Sequence, residues 1–247
     1  MAAVGPLLET VGLTKVFGGL QAVRSVDLRL DEGEVRAIIG PNGAGKTTLV
    51  GMVSGRLRPT SGRVLFRSRD ITRLDAHERA RLGIVYTFQI ISIFKNLPLA
   101  ENVALAAQRP LMQGLRDHLA VSRRALAEGV DAALALVGLR AAARTAGSLP
   151  YGHQRLLEVA MALASRPEVL MLDEPTQGLA PEEIAALSAL IRRVSRDITV
   201  LLIEHNMAVV LDLAHRITVM DAGRVIAEGA PGEIEANRDV RNAYLGV

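Results

Sequence analysis

The feature that most constrains this chain is the run Gly40, Pro41, Asn42, Gly43, Ala44, Gly45, Lys46, Thr47, with Thr48 directly after it. It has the P-loop spacing G-x4-G-K-S/T, in which glycines let the backbone wrap around phosphate oxygens and several N–H groups converge on the anion. The apolar stretch 34–39 reads as a strand entering the loop, and a helix is expected from Lys46. The positive end of that helix dipole adds to the cradle. Lys46 is placed to reach the β- and γ-phosphates, and the Thr47 hydroxyl to ligate Mg2+.

A second run, 169–172, is four apolar residues followed by Asp173 and Glu174. This describes a buried strand with acids at its C-terminal tip, where ligands of open α/β sheets bind. Asp173 would hold Mg2+, directly or through water, and Glu174 would orient or deprotonate an attacking water. Taken alone, two acids at a strand end are common in α/β proteins; beside a P-loop they point to nucleotide chemistry.

Around these runs the chain changes character twice. Residues 10–30 alternate as strands do, with Val23, Val26, Leu28 and Leu30 as inward candidates. Strands are expected at 63–66 and 84–88, with a short helix capped by Asp75 and ending near Arg81. From about 98 to 164 alanine and leucine dominate, and helices are expected at 99–108, 115–137 and 151–165. Strands return at 169–172, 199–203 and 217–220, with helices near 182–195 and 206–214. Residues 221–224 read as a hairpin turn into a strand at 225–227, and 231–245 as short helices. The order implies an α/β core interrupted by a helical subdomain.

The length of 247 residues and the 49% hydrophobic content suffice for one large domain of this kind. Lys+Arg minus Asp+Glu is 29 − 26 = +3, and the pI of about 9.7 comes from dispersed arginines rather than a basic tail. Charge therefore gives no ground for a nucleic-acid partner. The absence of cysteine excludes disulfides, thiolate metal sites and thiol catalysis. No run of about 18 uncharged apolar residues is present, and the N-terminus does not read as a signal peptide. A membrane role would then run through a partner.

Taken together, these elements resemble the ATPase subunits of ABC transporters over residues 7–245. The resemblance implies a P-loop NTPase core, RecA-like, with a mostly parallel sheet plus antiparallel strands and an inserted α-helical signature subdomain. Its divisions would be 7–88 and 166–247 for the core and 89–165 for the insert, within one domain, 7–247. It makes Phe17 similar to the aromatic that stacks on adenine, and 40–48 the Walker A loop. Gln89 is similar to the Q-loop glutamine, which senses Mg2+ and the γ-phosphate. Leu149, Pro150, Tyr151, Gly152, His153 and Gln154 occupy the signature position. Asp173 and Glu174 become Walker B and the catalytic glutamate, and His205 the switch histidine. Taken alone, Phe17 is also an ordinary half-buried aromatic, and Gln89 and His205 polar residues at strand ends. His77, His118 and His215 lie outside any motif and read as surface or structural residues.

The signature departs from the family's Leu-Ser-Gly-Gly-Gln. Pro150 replaces the serine, Tyr151 the first glycine and His153 the glutamine. Proline offers no hydroxyl and no N–H, though it suits the first turn of a helix. Ala180 stands in the D-loop where many members carry an acid.

Finer resemblance points to importers of branched-chain or other hydrophobic amino acids, through residues 17–20, 87–89, 151–152, 177–181 and 243–246. It implies ATP and Mg2+ as cofactors and transmembrane permease subunits as partners. It also implies a second ATPase subunit in a homo- or heterodimer, and indirectly a solute-binding protein. The chain would sit peripherally on the cytoplasmic face of the inner membrane. Urea, short amides or aromatic acids are the other solutes open at this level. A soluble ABC ATPase of non-transport type is the other class, but it usually carries two cassettes or a long coiled-coil insert.

Overall fold

The computed structural model describes residues 5–108, 123–141, 144–238 and 240. In chain order it begins with strands β1 (Leu8–Phe17), β2 (Leu20–Leu30) and β3 (Val35–Ile39), helix α1 (Lys46–Val53), strands β4 (Ser61–Phe66) and β5 (Arg69–Asp70), and α2 (Ala76–Arg81). It continues with β6 (Ile84–Tyr86), α3 (Leu99–Ala107), α4 (Arg123–Leu136), a 3-10 turn at Ala146–Ser148, α5 (Tyr151–Ala164), β7 (Val169–Asp173) and α6 (Pro181–Val194). It ends with β8 (Thr199–Ile203), α7 (Met207–Leu213), β9 (Arg216–Asp221), β10 (Arg224–Gly229) and α8 (Pro231–Ala236). Contacts divide the chain into two compact units, Met1–Ala80 with Ser195–Val247, and Arg81–Val194.

The first unit holds an antiparallel sheet in the order β2-β1-β4-β5 and a group in which β3 lies parallel to both β8 and β9, with β10 antiparallel to β9. Alternation explains the first. Val23, Val26, Leu28 and Leu30 are buried, as expected, while Ser25, Asp27 and Arg29 between them are exposed. Strands β3 and β8 are buried at every residue and, apart from Arg36 and Thr199, are apolar, as strands covered on both faces are. Ala37, Ile39, Ile217 and Val219 of the sheet pack with Val210, Ala214 and Ile234, at and near α7 and α8, in one apolar cluster.

The second unit is built on the parallel pair β6–β7, in the register Ile84 to Val169 and Tyr86 to Met171. Helices α3, α4 and α5, inserted in sequence between these strands, pack on one another. Asn102 is fully buried and fixes the entry to α3: its Oδ1 accepts from the Phe94 N–H (2.8 Å), and its amide donates to the carbonyls of Phe94, Leu97 and Pro98. The fold class is the one expected, an α/β P-loop core with parallel and antiparallel strands and an inserted helical segment.

Several boundaries differ from the alternation-based expectation. The strand expected over 84–88 ends at Tyr86, although the Thr87 N–H still pairs with the Met171 carbonyl at 2.9 Å. The carbonyls of Phe88 and Gln89 are instead taken by Arg155. Of the helix expected over 115–137, α4 accounts for the described part, and 115–122 lie outside the described residues. At the C-terminal end only α8 is described; residues 241–247, with the ending at 243–246, and His118 lie outside the described residues. Strand β5 and the 3-10 turn were too short to show in a periodic pattern. His215 is structural: its Nδ1 accepts from the Val35 N–H at 3.0 Å, and its own N–H donates to the Val35 carbonyl at 2.8 Å.

The end of α1 depends on Arg79. This side chain is 1% exposed and donates to the carbonyls of Met52 (2.7 Å), Val53 (2.8 Å), Thr72 (2.9 Å) and Leu74 (3.0 Å). Two of these belong to the last turn of α1, whose terminal carbonyls have no intrahelical donor. Desolvation lowers its pKa to about 10, which leaves it charged at neutral pH. Arg79→Met keeps much of the apolar stem and removes every donor. It is expected to cost about 2–3 kcal/mol, since buried carbonyls are left unsatisfied. The urea midpoint of the variant checks this, and an unchanged midpoint would show that water replaces the guanidinium at no cost.

Candidate functional site

Each unit presents part of the motif set, built separately. In the first, β3 runs directly into the glycine loop, and the neighbouring parallel strand β8 runs into His205. Ile38 is paired with Ile203, so both segments leave the same C-terminal edge of the sheet. That edge is where open α/β sheets take their ligands.

The loop lies backbone against backbone. Gly40 has φ 151°, and a Cβ there would overlap the Met220 carbonyl oxygen. Gly45 has φ 98°, and a Cβ there would overlap the Ala22 carbonyl oxygen. Both positions demand glycine twice over, by conformation and by space. Helix α1 starts at Lys46 with no side-chain cap and no acid in its first turn, so its positive end faces the loop. The Lys46 ammonium folds back over the loop, donating to the carbonyls of Gly40 (2.7 Å) and Pro41 (3.1 Å). Asn42, Gly43 and Thr47 are exposed, Pro41, Gly45 and Thr48 partly so, and Ala44 and Lys46 are buried. Charge on Lys46, N–H groups and the Thr47 hydroxyl are thus offered together to an anion and a hard cation.

Phe17 ends β1 and is 45% exposed. Lys15 Nζ lies 5.0 Å from its ring centroid and donates to the Arg58 carbonyl at 2.7 Å. One face of the ring is thereby committed to a cation–π contact. His205 is exposed at the end of β8. Its backbone is held by Glu204, fully buried, whose Oε2 accepts from the N–H groups of His205 (3.0 Å) and Asn206 (3.2 Å). Asn206 in turn caps α7.

In the second unit β7 delivers Asp173, 1% exposed, and Glu174 follows with φ 48°. A left-handed backbone at a non-glycine residue costs about 1–3 kcal/mol and is characteristic of functional positions. The Tyr86 hydroxyl, on the adjacent strand β6, donates to Asp173 Oδ2 at 2.5 Å. Gln89 Nε2 donates to Glu174 Oε2 at 2.8 Å and lies 3.4 Å from Gln177 Oε1. The structure therefore brings Asp173, Glu174 and Gln89 together at one end of the β6–β7 pair. Tyr86 is a residue that sequence reasoning missed: its position opposite Met171 carries no periodic signal that it would reach the acid.

The signature segment opens α5. Pro150 is the N-cap, with φ −53° and ψ 154°, directly before the helix expected from 151. Its fixed φ also suits this extended position, and its carbonyl accepts from the Gln154 N–H at 3.0 Å. Gly152 is buried against the Glu183 carboxylate, which a Cβ would overlap. Glu183 Oε2 also accepts from the Ala180 N–H at 2.9 Å and so closes the start of α6. Tyr151 is 47% exposed, and a Cβ on Gly178 would stand 3.3 Å from its ring. The signature and the segment after Walker B are therefore fitted to each other within one unit. Nδ1 of His153 is buried with no hydrogen-bond partner among the described residues.

No cluster of three or more His, Cys, Asp or Glu able to hold a metal occurs among the described residues. Within the second unit, the side-chain oxygens of Gln89 and Asp173 are of the kind that suits a hard ion.

A family model described as ABC transporter matches residues 23–177, and one described as branched-chain amino acid ATP-binding cassette transporter matches 224–247. The high-affinity branched-chain amino acid transport ATP-binding protein LivG of Salmonella typhimurium is 43% identical over 250 residues, covering 98% of each chain. The protein of the same description, BraF, from Pseudomonas aeruginosa is 43% identical over 251 residues, again covering 98% of each. Among solved structures, the ADP conformation of an ATP-binding cassette of an ABC transporter is similar with a TM-score of 0.86 and 31% identity, over 98% of this chain and 99% of that one. With the glycine cradle, the paired acids and these likenesses in hand, the chain belongs to the ABC transporter family, as one of its nucleotide-binding ATPase cassettes.

Proposed function

We propose that this cassette binds and hydrolyses MgATP to power an importer of branched-chain or other hydrophobic amino acids. The observation that carries the solute class is the 43% identity to LivG and BraF across 98% of the chain. The cassette itself does not select the solute; permease subunits and a solute-binding protein do.

In this reading the 40–48 loop holds the phosphates and Phe17 stacks on adenine by the face that Lys15 leaves open. Thr47, Asp173 and Gln89 are the residues that would hold Mg2+, which when bound would supply neutralising charge at the phosphates beside Lys46. Glu174 orients the attacking water and accepts its proton, and His205 contacts the γ-phosphate. Two cassettes, alike or different, close around ATP, with Tyr151, Gly152 and His153 of one facing the phosphates bound by the other. Hydrolysis removes the charge that holds them together.

No helix among the described residues is long and apolar enough to cross a membrane. In this reading, which rests on the likeness to transporter subunits, the cassette meets permease subunits peripherally, on the cytoplasmic face. Ile90, 84% exposed, and Phe94, 54% exposed, lie at the start of the surface at 91–102 that receives a short permease helix in this reading. Reconstitution with the permease and solute-binding protein tests the proposal. Leucine or valine should stimulate ATPase activity and accumulate in vesicles. Stimulation only by urea or amides would overturn the amino-acid assignment, and failure to associate with any permease would favour a non-transport ATPase.

Glu174→Gln removes the base and keeps the shape. Turnover is expected to fall by about 100-fold or more while MgATP affinity is retained; steady-state hydrolysis together with equilibrium titration checks this, and brisk turnover would take Glu174 out of its role. Pro150→Ser restores a hydroxyl and an N–H. One hydrogen bond to a charged group is worth about 1.5–3 kcal/mol, so ATP-driven dimerisation should tighten by about tenfold or more. Sedimentation with ATP and the Glu174→Gln background reads it, and equal dimer affinity would dismiss this account of the proline.

A further inference from the structure

Arg155 lies two residues beyond His153 on α5 and is fully buried. Its Nη1 donates to the Phe88 carbonyl at 2.7 Å and to Glu158 Oε2 at 2.6 Å, and its Nη2 donates to the Gln89 carbonyl at 2.6 Å. Glu158, 5% exposed, uses its other oxygen to accept the Ser92 N–H at 2.9 Å. Three backbone groups at and around Gln89 are thus held by two side chains of one helix.

A pair whose only role was to stabilise α5 would sit on its solvent face. This one is buried, where desolvation offsets much of the Coulomb attraction. Burial in fact holds the Glu158 carboxyl above the ordinary carboxylate range, against the pull of the Ser92 N–H and Arg155. What the pair supplies is geometry. Beyond the Thr87 N–H the chain leaves the β6–β7 ladder, and Arg155 grips it immediately afterwards. With its carbonyl fixed, Gln89 directs its side chain to Glu174. The same helix carries the signature turn at its start, so any displacement of α5 is delivered to Gln89 through bonds of 2.6–2.9 Å.

We propose that Arg155 and Glu158 are positioning residues that lock the Gln89 segment to α5, so that this glutamine and the Tyr151–His153 turn move as one piece in the hydrolytic cycle. This rests on the reading above in which Gln89 takes part in hydrolysis.

The test compares two double variants of the full chain. Arg155→Met with Glu158→Leu replaces the pair by apolar groups of similar volume and bares the Phe88 and Gln89 carbonyls, so its melting midpoint should fall and kcat is read well below that midpoint. Arg155→Glu with Glu158→Arg keeps an ion pair but sets a carboxylate against two carbonyls. Both should bind ATP in the absence of Mg2+ within about twofold of the parent, because the glycine loop is not touched. Their kcat should fall by about 10- to 100-fold, the scale of a misplaced reacting group. A purely structural pair would be preserved in the exchanged variant and would move the melting midpoint without splitting kcat from affinity. Parental kcat in either folded variant, whatever its melting midpoint, overturns the proposal. Gln89→Ala is measured alongside. If it retains parental kcat, the underlying reading of Gln89 fails and the proposal falls with it. If Gln89→Ala is slow while the double variants are not, only the clamp is wrong. Hydrogen exchange on the unaltered chain stands independent of any variant: the Ser92 amide should be protected as strongly as those within α5, and free exchange there also overturns the clamp.

Discussion

The phosphate loop exists only because backbone can lie directly against backbone. Gly40 abuts the Met220 carbonyl and Gly45 the Ala22 carbonyl, and the Gly223 N–H closes the ring by donating to the Ala44 carbonyl at 3.0 Å. The Arg24 N–H then donates to the Gly223 carbonyl at 2.8 Å, which ties in β2. The loop is therefore walled by β2 on one side and by the β9–β10 turn on the other. One added methyl group at either glycine would push those walls apart, and with them the N–H groups that converge on an anion. The chemistry offered by Lys46 and Thr47 depends on that packing as much as on their own side chains.

A second constraint is how a chain so rich in apolar residues handles the backbone where its elements end. Among the described residues the largest fully buried side chains are Arg36, Arg79 and Arg155. Each gives at least one guanidinium bond to a main-chain carbonyl. Arg36 donates to the Arg29 carbonyl while paired with Glu34 and Glu228, Arg79 closes the end of α1, and Arg155 receives the chain as it leaves β6. A planar fork with five donors can satisfy several acceptors that no water reaches, which lysine cannot do in the same geometry. Elements are thereby joined at fixed angles, which matters where functional residues sit on the joins.

Much of this was readable in advance, and the reasons are local. The glycine spacing, the apolar runs ending in acids and the alternation in β1 and β2 are properties of a few consecutive residues, and they become structure through short-range rules. The acid pair is where the strand reading put it, and α1 starts at Lys46 as expected. Helix α5 likewise starts at 151 as expected, with Pro150 before it as an extended N-cap that its fixed φ suits. The reading that slipped was also a local one. The strand at 84 ended early because a distant arginine competed for its carbonyls.

What the sequence determined by itself is the chemistry on offer: a phosphate cradle, a cation, a hydroxyl, two acids, a glutamine and a histidine in a given order. What only the tertiary structure decided is which side chains hold those groups in place. Tyr86 reaches Asp173 across 87 positions, Arg155 reaches Phe88 across 67, and Glu183 meets Gly152. Such partners follow no period and no spacing. They are selected by which buried polar atoms remain unsatisfied once strands and helices have packed, and that remainder is a property of the assembled interior rather than of any stretch of chain.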